Sequence, residues 1–190
     1  MDATQLKTMW IIHQSQSNVA PHSELFRLIL LAQDQRSPPI AVLNYVAKKA
    51  GRQDLTGGDD LWEQSQVLKW SSFLSSEVHS SFWLVFFTNR FTTSDDPAAL
   101  AQVKEAGLKR IHEKISILEN HMKAPRQWLV GNNKTIADAH LYVFVRWMAR
   151  NFSSMMEDFP NLKRFGERMA EDDGVKDALQ YEDGAKWGMN

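Results

Sequence analysis

The sequence predicts a mainly α fold, a helical bundle preceded by a short β-α-α segment. Three observations carry that prediction. Residues 135–151, TIADAHLYVFVRWMARN, open on a helix-starting signature and are apolar nearly all round. Two further stretches, residues 67–85 and 108–122, repeat their apolar positions at helical spacing. A glycine-bearing break at residues 51–60, GRQDLTGGDD, separates these from a smaller N-terminal part.

Bulk properties narrow the function classes before any element is placed. A chain of 190 residues allows one or two domains. An apolar share of 43% and a charged share of 24% are those of an ordinary globule. The net charge of −1 gives no electrostatic pull toward nucleic acid or an anionic membrane, and neither is expected as a partner. Without cysteine there is no disulfide, thiolate metal site or cysteine nucleophile. The histidines share no metal-ligand spacing, so no metal is expected. The N-terminal MDATQLKTMWIIHQ lacks the apolar run of a signal peptide. No stretch reaches the roughly eighteen apolar residues of a membrane span. A cytoplasmic location is the expectation.

In chain order, residues 7–14 (KTMWIIHQ) read as a short strand through consecutive Met9, Trp10, Ile11 and Ile12. Residues 15–22 form a loop by composition, and Ser23 is the N-cap for a helix over residues 24–33. Pro38 and Pro39 break the chain. Ile40, Leu43 and Ala47 then mark a helix over residues 40–49, with Pro39 at a permitted first-turn position. The domain division expected is 1–50 for the small module, 51–58 for the linker and 59–190 for the helical domain. From Asp59 or Asp60 a long helix is predicted, because Val67, Trp70, Leu74, Val78, Phe82 and Val85 step by 3, 4, 4, 4 and 3. The unbroken apolar run Phe82 to Phe87 has strand character too, but the phase carried in from Val67 favours helix. Asp96-Pro97 opens the next helix, whose stripe is Leu108, Ile111, Ile115, Leu118 and Met122. Gly107 interrupts it at about 1 kcal/mol against alanine; a close helix crossing would explain it. Thr135 and Asp138 make the capping box that starts the central helix, and they are structural residues.

These residues bring in a family. LVGNNKTIADAHLYVFVRW, residues 129–147, resembles the C-terminal-domain signature of the glutathione S-transferase superfamily. FPNLKRFGERMAEDDGVKDAL, residues 159–179, resembles its last two helices. The resemblance implies a glutathione-transferase-like helical bundle behind a truncated thioredoxin-like module. In bacterial beta-class relatives a cysteine at the end of the first strand and a histidine in the helical domain sit near the glutathione sulfur. TMWIIHQSQSNVAPHSELFRLIL, residues 8–30, is similar to that first strand, active loop and helix. On this register Ser17 takes the cysteine's place, Asn18 follows it and His22 lies at the helix start, which makes Asn18 and His22 the glutathione-binding candidates. SSEVHSSFWLVF, residues 75–86, resembles the segment carrying the histidine, matched by His79. Ser17 would stabilise a thiolate by hydrogen bonding, and His79 would assist the thiol near neutrality. Without the family, Ser17 and Asn18 read as loop residues and His79 as a polar residue at a domain interface.

The chain also departs from the family. The acidic residue and hydroxyl that hold glutathione at the start of the family's third helix fall here on Pro38 and Pro39. Between Gln33 and Pro38 there is no room for the second strand, second helix, cis-proline strand and fourth strand. Two function classes follow. One is a binding or assembly protein degenerate in glutathione binding, with no cofactor. The other is an active glutathione-dependent transferase or reductase using Ser17 and His79, with glutathione as substrate. A lone strand needs pairing, and Phe82, Trp83, Phe86 and Phe87 need cover, so a homodimer or protein partner is expected, with room for a small apolar ligand.

Overall fold

The structure, a computed structural model, describes residues 39–184, with side chains from Ile40 to Leu179. The strand expected at residues 7–14, the helix at 24–33, and Ser17, Asn18, His22 and Pro38 lie outside the described residues.

Every regular element among the described residues is helical. Helix α1, Pro39–Lys49, starts on its proline and buries Leu43, Val46 and Ala47. Residues 51–58 are a packed turn: a 3-10 segment, Gln53–Thr56, buries Thr56 and sets Leu55 in the same apolar cluster as α1. Gly57 closes it at φ 101°, and a Cβ there would lie 2.4 Å from the Gln64 nitrogen, so only glycine fits.

Asp60 caps α2, Leu61–Phe73, by accepting from the Trp62 amide at 2.8 Å. The predicted long helix is present, but not as a plain α-helix. A π-turn, Leu74–Val78, joins α2 to α3, His79–Phe86. The three consecutive steps of four from Trp70 to Phe82 explain it. At about 100° per residue each such step overshoots a full turn by about 40°, and three accumulate about 120°. One extra residue in a π-turn takes up roughly that angle, so Trp70, Leu74, Val78 and Phe82 all stay buried.

Asp96 caps α4, Pro97–His121, through the Ala98 amide at 3.1 Å. This helix crosses α3 at Gly107, where a Cβ would meet both the Leu84 Cβ and the Val85 Cγ2 at 2.8 Å. The close crossing is thus the reason for the glycine. The buried face of α4 comprises Ile111, Ile115 and Leu118, with Met122 just beyond its end.

Helix α5, Ile136–Asn151, is the centre of the bundle, with ten of its residues buried. Short α6, Ser153–Met156, leads to α7, Pro160–Ala170, and α8, Asp173–Gly184. The start of α7 is held from a distance. Glu119 of α4 accepts from the Asn161 amide at 3.0 Å and the Leu162 amide at 3.0 Å, placing a carboxylate on a helix N-terminus. Asp172 does the same locally for Gly174 and also pairs with Lys134. Among the described residues, no helix is long and apolar enough to cross a membrane, and no cluster of three or more metal-ligating side chains occurs.

Candidate functional site

His79 is the one predicted catalytic residue within the described part, and the π-turn aims it. It is the first residue of α3, and its ring sits among Trp83 at 5.8 Å, Phe144 at 5.8 Å and Trp147 at 5.6 Å between centroids. The latter two come from α5. Half-burial in this aromatic setting pushes the imidazole below its usual range, so it is mostly neutral at pH 7. A neutral, partly exposed imidazole can accept a proton from a thiol or hydroxyl brought to it.

Behind it lies a second histidine that the spacing arguments did not single out. His140 is 2% exposed, and its ring is 5.3 Å from Phe144, the residue His79 also touches. Burial holds its pKa down at about 3, and nearby His79 pushes the same way. Its Nδ1 has no hydrogen-bond partner, nor do the buried hydroxyls of Ser71 and Ser75. Ser71, Ser75 and His79 recur every four residues on one helical run. The sequence carried that spacing as a signal, but burial of the hydroxyls emerges only from packing. His112 faces Phe159 and pairs with Asp158, and His121 bonds the Leu129 carbonyl; neither joins this group.

The outer wall is aromatic. Phe82 is fully internal, whereas Trp83, Phe86, Phe87 and Phe91 are 37–45% exposed. The Arg90 guanidinium lies 4.7 Å from the Phe87 ring centroid and 5.7 Å from that of Trp83, which rigidifies the wall.

The cap under α5 is geometrically complete. Asp138 accepts from the Thr135 amide at 2.8 Å, the Thr135 hydroxyl at 2.9 Å and the Leu129 amide at 2.8 Å. Three donors favour the carboxylate, yet full burial outweighs them and raises its pKa to about 6. Asp138 therefore ties the loop before α5 to the helix start, a structural role.

Comparison with known proteins places this geometry. The family model for the glutathione S-transferase C-terminal domain matches residues 77–173. Glutathione S-transferase GST-4.5 of Xanthomonas campestris pv. campestris is 25% identical over 182 residues, covering 96% of this chain and 84% of that protein. Among solved structures, a glutathione S-transferase from Xylella fastidiosa superposes with a TM-score of 0.64 at 30% identity, over 75% of this chain and 68% of that one. A sphingomonad glutathione S-transferase complexed with glutathione gives 0.63 at 26% identity, over 80% and 69%.

Proposed function

The chain belongs to the glutathione S-transferase superfamily, and from that premise we propose that it is a cytoplasmic binding or assembly protein, working as a homodimer without dependence on glutathione. The observation that carries this reading is the start of α1. Helix α1 opens Pro39-Ile40-Ala41-Val42 and has no acid in its first turn. A γ-glutamyl group is anionic and ammonium-bearing at one end, and such a start offers neither carboxylate nor hydroxyl to it. The aromatic wall of α3 supports the second half of the reading, since partly exposed Trp and Phe at one place suit a protein or apolar partner.

A second reading rests on His79. Its neutral imidazole beside that wall fits a transferase in which His79 assists a thiol and Ser17 stabilises it. Calorimetric titration with glutathione separates the two. The expected outcome is no saturable heat at about 1 mM ligand, where binding would correspond to about −4 kcal/mol. Saturable heat that disappears in Ser17→Ala and weakens in His79→Ala would establish the transferase reading instead.

A further inference from the structure

The loop between α4 and α5 shapes a cleft of about 750 Å³ that shares no residue with the His79 wall. His121, Lys123, Arg126, Gln127, Trp128 and Asn132 line it, and no acidic side chain does. On a chain whose net charge is −1, that is a local concentration of positive charge. Neither Lys123 nor Arg126 has an ion-pair partner among the described residues.

The cleft is held in shape. The Arg126 amide donates to the Lys123 carbonyl at 3.2 Å, a turn that fixes the backbone spacing of the two residues. Arg168 of α7 donates to the Gln127 carbonyl at 2.7 Å while its guanidinium lies 5.5 Å from the Trp128 ring centroid. His121 donates through Nε2 to the Leu129 carbonyl at 2.8 Å and lies 4.1 Å from Trp70 between ring centroids. With the proton spent on Nε2, Nδ1 of the neutral ring is an acceptor. Burial lowers the His121 pKa, the Leu129 hydrogen bond opposes it, and the charges of Arg126 and Lys69 lower it further, so Arg126 and Lys69 act on this ring. The Glu63 carboxylate packs against Gly131, one of the lining residues.

We propose that this cleft binds a small organic dicarboxylate, seated on Lys123 and Arg126 with its carbon chain against Trp128. Two unpaired cations match two carboxylates, and the Arg126 fork can hold one of them bidentately. Carboxylate suits the place better than phosphate. Trp128 gives a carbon chain something to cover, and phosphate has no carbon chain.

The test is calorimetry on the full chain at matched ionic strength, with succinate and inorganic phosphate as separate probes up to about 20 mM, the millimolar range expected of two solvent-screened charge contacts. Succinate should bind saturably at one site per chain, with affinity that falls as salt rises. Arg126→Glu and Lys123→Glu, both at exposed positions, should each weaken it at least about tenfold (about 1.4 kcal/mol) with unchanged helicity. Arg126→Lys should retain part of the affinity. No saturable heat with succinate, or equal heat in Arg126→Glu, would overturn the site. Phosphate binding with succinate silent would overturn the carboxylate assignment.

Discussion

At the scale of single residues, α5 carries two buried titratable groups with opposite consequences for stability. Folded Asp138 has a pKa of about 6 against an ordinary 3.8. Between about pH 4 and 6 the folded state keeps a proton that the unfolded state has lost, so this group makes the fold less stable as pH rises. Folded His140 has a pKa of about 3 against 6.5. Over the same window the unfolded chain holds the extra proton, so His140 makes the fold more stable as pH rises. Each full proton is worth about 1.4 kcal/mol per pH unit. The two largely cancel between pH 4 and 6, leaving His79 and His121, both lowered by burial, to give a net rise toward pH 6.5. Urea midpoints measured at unit pH intervals should therefore climb more steeply in Asp138→Asn than in wild type, and less steeply in His140→Gln. Identical slopes in all three would mean that neither group is perturbed. The Thr135–Asp138 pair was legible in sequence because a cap is a local pattern of fixed spacing. His140 was not, because a lone histidine on an apolar helix says nothing about whether a partner reaches its second nitrogen.

At the scale of elements, the run from Leu61 to Phe86 shows how much a spacing can say. The apolar stripe revealed a helix, and its three steps of four already held the π-turn, since a regular helix would have rotated the stripe off the core. The same arithmetic predicts the result of a deletion. Removing Ser76, an exposed residue inside the π-turn, leaves the buried set stepping 4, 3 and 4 beyond Trp70, which a regular α-helix accommodates. That variant should fold with a thermal midpoint near the wild-type value. Removing Ser65 from the regular part of α2 should instead rotate everything beyond it by about 100° and cost several kcal/mol through lost core contacts. A collapse of both variants alike would show that the π-turn does not absorb the phase. The Glu119 contact to the start of α7 was illegible, because its partners lie 42 and 43 residues away and no local pattern links them.

At the scale of the whole molecule, the question is what covers α2 and α3 on the outside. Trp83, Phe86, Phe87 and Phe91 each leave about two fifths of their surface in water. Fully burying such a side chain is worth about 1.5–3 kcal/mol, so completing these four gives about 4 kcal/mol per copy. Doubled across a two-fold axis, that only matches the 4–15 kcal/mol or so that association costs. A lasting dimer therefore needs more than the α3 wall. The other end of the same helical run offers further exposed apolar surface: Leu61, Trp62 and Leu68 are 75%, 70% and 54% exposed. Antiparallel pairing of two copies along α2 and α3 would set one end's aromatics on the other's. Sedimentation at low micromolar concentration should then give about twice the 21.8 kDa chain mass. Trp83→Glu and Trp62→Glu should each shift the protein to monomer with unchanged helicity, because both rings lie on the outside. Phe82→Glu, at a fully buried position, should unfold the chain instead. A wild-type monomer at tens of micromolar, indifferent to Trp83→Glu, would mean that something other than a second copy meets this wall.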